Sequence, residues 1–250
     1  MKVFFFSKRT LFMLALLLGL AVLGVMVADM MRPALETTAE AGAPYYQGNS
    51  GDKAVALTVN VDWGEECIPE MLDIFAEQKV KVSFFPTGQW AEKNPELLKE
   101  MNTAGHSIQN HGYKHVHCDQ LSCAQVKEQI LKGQEIIADI TGETPKYFAS
   151  PYGEHADQVV QAAEELDYCF IMWSLDTIDW QRPSPATINQ RILSRAHNDA
   201  IILMHPVKET VQALPDMIKG LKEQGYDFYT IDRLLVTDAA QLEGGGLPSS

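Results

Sequence analysis

Ala54-Val-Ala-Leu-Thr-Val-Asn-Val-Asp-Trp-Gly-Glu-Glu-Cys-Ile-Pro-Glu-Met-Leu-Asp-Ile-Phe-Ala-Glu-Gln-Lys-Val-Lys-Val-Ser-Phe-Phe85 decides the fold. Residues 54–61 form an alternating, β-branched run and predict a strand. Residues 68–78 place apolar side chains at helical spacing, and 80–85 read as a second strand. The same alternation continues outward. A helix is expected over 95–104, with Asn94 as cap and Pro95 at its first position. Ser122 caps a long helix that runs to Thr141 and stops at Gly142. Then follow a strand over 146–149, a helix over 157–166, a strand over 168–173 and a helix over 185–197. The continuously apolar run 200–204 is a strand, and 211–224 is a helix ended by Gly225, which Pro215 should start or kink. Residues 228–231 make the last strand. Apolar strands alternating with helices mean an α/β protein, a parallel sheet with helices outside. With about seven units the chain is short for a full eightfold barrel. A deformed (β/α) barrel is the first expectation and an open doubly wound sheet the second. In both, ligands gather at the carboxyl ends of the strands.

The ends of the chain differ in composition from this middle. Lys2, Lys8 and Arg9 precede an uncharged, mostly apolar run from Leu11 to Ala28. Residues 1–30 therefore read as a signal or membrane anchor segment, with an N-terminal anchor helix favoured over a cleaved signal. The basic flank stays in the cytoplasm, which puts the remainder outside it, at the cell membrane or secreted if the signal is cut. Residues 31–52 read as a linker, 53–236 as the catalytic domain and 237–250 as a disordered tail. A net charge of −13 over 250 residues argues against nucleic acid as partner. The four cysteines, Cys67, Cys118, Cys123 and Cys169, are an even number in an exported chain. Cys118 and Cys123 are close enough to pair, and the absence of Cys-x-x-Cys spacing disfavours a thiolate metal site.

Five expected strand ends carry unusual polar residues: Asn60-Val-Asp-Trp-Gly-Glu-Glu66, the segment with His111 and His115, Ser150-Pro-Tyr-Gly153, Asp176-Thr-Ile-Asp-Trp180 and Leu203-Met-His-Pro206. Neutral imidazoles are good ligands for a divalent metal. His111 and His115 would converge if the backbone between them made a helical turn; otherwise they are surface polar residues in a loop. Singly, each segment is equally a cap, a turn or a packed polar residue. In a barrel all five face one end.

In this order the segments resemble the polysaccharide deacetylase family, with its NodB homology domain (carbohydrate esterase family 4 type). The likeness covers about 52–235 and is narrowest to a divergent, YlxY-like branch of spore-forming bacteria. It rests on Gly105-His-Ser-Ile-Gln-Asn-His-Gly-Tyr-Lys-His115, Pro-Tyr-Gly, Trp-Ser-Leu-Asp-Thr-Ile-Asp-Trp and Ile-Ile-Leu-Met-His. The resemblance implies an extracytoplasmic, metal-dependent hydrolase acting on carbon–nitrogen (non-peptide) bonds. Its substrate would be an acetylated glycan of the cell wall, peptidoglycan or a chitin-like oligosaccharide, and its cofactor a divalent metal, Zn²⁺ first. His111 and His115 match the metal ligands, and Tyr152 the backbone oxyanion donor. His205 matches the general acid, Asp179 the carboxylate that orients it, Leu203 a wall beside the acetyl methyl and Trp180 the wall behind the acid.

The departures lie in the first motif, which in the family reads Thr-Phe-Asp-Asp-Gly. Set on Thr58, it puts Asn60 where the base Asp belongs and Val61 where the metal-binding Asp belongs. Asp62 replaces one of them, as base or as metal ligand but not both, if the loop shifts by a residue, and Glu65 and Glu66 are further candidates to complete the metal site. The Arg that orients the base aligns with Ala149. The alternative is a catalytically impaired deacetylase fold that binds cell-wall glycan without cleaving it.

Overall fold

The structure, a computed structural model, describes residues 43–236. The expected anchor segment, most of the linker and the tail lie outside the described residues. Among the described residues no helix is long and apolar enough to cross a membrane.

Strand β1 (Ala54–Val61) is buried along all 8 of its residues, and the molecule is arranged around it. It pairs in parallel with β2 (Ser83–Pro86), β7 (Ala200–Met204) and β8 (Asp227–Phe228). Beyond these, β2 pairs with β3 (Ser107–Ile108) and β7 with β6 (Leu175–Asp176). A separate parallel pair joins β4 (Tyr147–Phe148) to β5 (Cys169–Phe170). Two connections close the ring. A bridge from Asn110 to Phe148 joins the end of β3 to β4. On the other side the chain from Cys169 to Asp176 starts beside β4 and ends beside β7. The result is the deformed barrel. Of the expected strand over 168–173 only Cys169–Phe170 forms, and a second short strand, Leu175–Asp176, follows it on a different partner, because a closing sheet bends at its corner.

The pleat of β1 explains the layers. Val55, Leu57, Val59 and Val61 enter the core shared with the outer helices, whereas Ala54 and Ala56 belong to the barrel interior with Phe85, Tyr147, Ile171 and Ile201. Small inward residues suit a narrow barrel. The larger outward ones pack against α1 (Ile68–Gln78), α6 (Pro185–Leu193) and α7 (Lys208–Glu223), each fully buried Val or Leu contributing about 1.5–3 kcal/mol.

Further helices are α2 (Gly88–Lys93), α3 (Pro95–Thr103), α4 (Cys123–Thr141), α5 (Asp157–Glu164) and α8 (Ile231–Leu234). The sequence reading missed α2, which starts where Thr87 Oγ1 accepts the Trp90 N–H at 3.2 Å. Helix α7 neither starts at Pro215 nor stops there. Val211, Ala213 and Leu214 are buried, and their packing outweighs the roughly 3 kcal/mol cost of an internal proline. Helix α6 ends at Leu193, four residues short of expectation, and the last strand is only Asp227–Phe228. Residues 45–48, read as linker, belong to the barrel: Tyr45 bridges Ile171 and Gln47 bridges Ala200.

Candidate active site

The carboxyl ends of β1, β6 and β7, with the loops after β3 and β4, enclose a cavity of about 460 Å³. Its walls include His111, His115, Tyr152, Trp180, Leu203 and His205, as expected, together with Asn60, Trp63, Gly153, Trp173 and Asp176.

The loop after β3 turns without a helix. The buried Asn110 side chain donates to the Ile130 carbonyl at 2.9 Å and to Tyr168 Oη at 3.1 Å, and accepts the Gly112 N–H at 2.8 Å. Gly112 has a φ of 80°, a left-handed conformation that glycine adopts without penalty. This turn, rather than the expected helical one, brings the rings of His111 and His115 to 5.2 Å between centroids. His111 Nδ1 lies 2.6 Å from the Ala149 carbonyl oxygen. A carbonyl only accepts, so Nδ1 carries the proton and Nε2 is left as an acceptor. Burial pushes the His111 pKa down to about 3. Burial also lowers that of His115, opposed by the Asp62 charge. Both imidazoles are neutral near pH 7.

Opposite them stands an ordered dyad. Asp179 is fully buried. It accepts from the His205 backbone N–H at 2.7 Å, holds His205 Nδ1 at 2.7 Å and accepts from Thr210 Oγ1 at 2.5 Å. Burial would push its carboxyl up, but these hydrogen bonds and the His205 charge hold it below the ordinary carboxylate range. Trp63 lies parallel to His205, with centroids 6.1 Å apart and planes 8° apart. Arg182 sits 5.9 Å over the indole and pairs with Glu209 at 2.9 Å. On the other rim Tyr152, with φ 61°, stacks on His117 at 4.0 Å and meets His115 edge-on at 4.5 Å. Tyr152 and Trp180 are 58% and 56% exposed, so both present aromatic surface at the mouth.

The pleat corrects the register of the first motif. Val61 is buried in the apolar core shared with the outer helices, where a phenylalanine fits and a metal ligand does not. Gly64 has a φ of 83°, and a Cβ there would collide with the Pro206 carbonyl. The glycine of the motif therefore falls on Gly64. That setting places the first carboxylate on Asp62 and the second on Trp63, not on Asn60 and Val61. Asp62 Oδ1 accepts from Thr87 Oγ1 at 2.8 Å, and Asp62 acts on His115 electrostatically without forming part of the cavity wall. Glu65 and Glu66 are exposed on the turn that follows.

Among the described residues no group of three His, Cys, Asp or Glu is placed to hold a metal. An indole has no lone pair to offer. The donor set therefore does not fit a three-ligand zinc centre: two imidazoles remain where the resemblance implies two imidazoles and a carboxylate. All four cysteines are free thiols, and burial pushes the Cys118 thiol up to about 12. Sequence reasoning missed Trp63 and Asp176 as wall residues. Both lie inside motifs that were quoted for their neighbours; the strand period could have found Asp176, which pairs with Leu203, whereas Trp63 lies beyond the end of β1, where that period gives no signal.

The family pattern "Polysaccharide deacetylase" matches residues 47–171. The Bacillus subtilis protein YlxY is 37% identical over 210 residues, which is 84% of this chain and 66% of YlxY. A peptidoglycan-N-acetylglucosamine deacetylase of Bacillus cereus is 32% identical over 197 residues, 77% of this chain and 72% of that protein. The crystal structure of BA3943 from Bacillus anthracis, described as a CE4 family pseudoenzyme, superposes with a TM-score of 0.77 at 38% identity, covering 82% of this chain and 73% of that one. A mutant of BA3943 with restored enzymatic activity superposes equally well, with a TM-score of 0.77. This chain belongs to the polysaccharide deacetylase family, on the divergent branch that YlxY represents.

Proposed function

We propose that this chain is an extracytoplasmic member of its family that holds the amino-sugar glycan of the cell wall without hydrolysing it. The observation that carries this is Trp63. It stands in the position of the second motif carboxylate and, among the described residues, leaves the two neutral imidazoles with no third donor. A binding site remains: aromatic walls at Trp63, Trp173 and Trp180 suit the apolar faces of sugar rings. The name of the Bacillus cereus relative points to peptidoglycan as the glycan, and the BA3943 description supports loss of turnover. The basic flank and apolar run of residues 2–28 support a membrane-held chain whose domain lies outside the cytoplasm.

The intact His205–Asp179–Thr210 cluster and Asp62 favour a second function, hydrolysis. Asp62 would take a proton from water, His205 would give one to the leaving amine, and Leu203 would face the acetyl methyl. Acetate release from an N-acetylglucosamine oligomer and from peptidoglycan, with the full chain in excess Zn²⁺, separates the two. The expected result is oligomer binding with no release, and release gained in the double variant Trp63→Asp, Ala149→Arg, which returns the second carboxylate and the arginine. Release by the unaltered chain, lost on Asp62→Ala, would make it a deacetylase.

A further inference from the structure

The cavity has a charge that the family resemblance does not account for. Among the described residues Asp176 is the one carboxylate on its wall, and no Lys or Arg lines it. Asp176 pairs across β6 and β7 with Leu203, whose other neighbour is Thr58 of β1. The carboxylate therefore sits at the strand ends, among the inward residues. One of its oxygens accepts the Ile178 N–H at 2.7 Å. Among the described residues it has no ion-pair partner. The nearby Arg191 donates to the Thr177 carbonyl instead, and His205 is committed to Asp179.

A carboxylate with no ion-pair partner, in a cavity that no Lys or Arg lines, has room for a cation. Burial raises the Asp176 pKa above the ordinary range, which a bound positive group would reverse. His111 Nε2 and the Asn60 carboxamide offer further acceptors on the same cavity wall, and an ammonium has three donors to place. An acetamide keeps one N–H for the carboxylate but brings no charge to balance it.

We propose that the cavity takes a de-N-acetylated amino sugar of a cell-wall glycan, with the sugar's ammonium held by the Asp176 carboxylate and its ring against Trp63 and Trp180. This rests on the non-hydrolysing glycan-binding function and names its ligand: the chain reads the product that an active deacetylase leaves behind.

Calorimetric titration of the full chain with a glucosamine tetrasaccharide and with its fully N-acetylated counterpart tests it. The free-amine form binds about tenfold tighter or better, a difference on the scale of one charge pair in a partly desolvated site. Asp176→Asn removes that preference, with an unchanged urea midpoint reporting an intact fold. Asparagine keeps the shape and the acceptor for the Ile178 N–H. Equal or tighter binding of the acetylated form would overturn the proposal while leaving a glycan binder. A preference that survives in Asp176→Asn would overturn it as well, by showing general attraction of a polycation to an acidic chain. Binding of neither sugar would overturn both functions together.

Discussion

At the scale of single residues, two buried polar groups set testable dependences. Thr210 donates its hydroxyl to Asp179 where both are wholly buried. Thr210→Val keeps the shape and removes the donor. Loss of one hydrogen bond to a buried charge costs about 1–3 kcal/mol, to be read as a lowered urea midpoint with an unchanged slope. His106 packs between Phe75 and Phe84, with ring centroids at 5.6 and 5.4 Å, and its Nδ1 accepts the Val82 N–H at 3.2 Å. Burial lowers its pKa to about 4, aided by Lys81. The unfolded chain therefore binds the proton first as pH falls. The stability contribution is complete above about pH 6.5 and declines toward pH 4, by roughly 3 kcal/mol at most. Urea midpoints at pH 7 and pH 5 should show this loss. His106→Asn keeps an acceptor near Nδ1 without titrating, and should flatten the slope, which His111 and His115 retain in part. An unchanged slope would mean that His106 is solvated in the native state.

At the scale of elements, the strongest local signals were the truest. Ser122 forms a full capping box with Gln125 at the start of α4; its loss in Ser122→Ala costs about 1 kcal/mol. The apolar run of β7 came out residue for residue, because a strand buried on both faces needs no context to be seen. What sequence could not show is how α4 meets the histidine loop. A Cβ on Gly133 would lie 2.7 Å from Asn110 Oδ1 and 2.8 Å from the Gly112 carbonyl oxygen. Gly133→Ala gains about 1 kcal/mol of helix propensity and loses more by pushing the loop off the helix, typically 1–3 kcal/mol. The net expectation is a lower Tm with weaker glycan binding, since the displaced loop carries His111 and His115. A raised Tm with unchanged binding would show that the loop yields freely.

At the scale of the whole molecule, the alternation of strands and helices made the barrel legible, and the period-two pleat of β1 made its interior legible in principle. The motif register was misread because alternation sorts residues into two faces without saying which face turns inward; the burial of Val61 in the outer core and the left-handed Gly64 decide it. Closure was the other hidden feature. Residues 45–48 have no periodicity, yet they bridge the gap beside β7, and Asp199 holds the segment that follows. Its carboxylate accepts from Ser50 N at 3.2 Å, Ser50 Oγ at 2.5 Å and Gly51 N at 3.3 Å, and its carbonyl accepts the Gly48 N–H at 2.7 Å. Asp199 also has a φ of 60°, which costs an alanine about 1–2 kcal/mol more than a glycine and which Asn tolerates. Asp199→Ala should therefore lower stability by about 2–3 kcal/mol, while Asp199→Asn costs less. If the strap is a separate cooperative unit, amide exchange in the alanine variant rises at Gly48 and Met172, which bond Asp199 and Tyr45, while Leu57 in β1 keeps its protection. Equal acceleration at all three would show instead that the strap and the barrel open together, and that closure by these residues is part of the global fold.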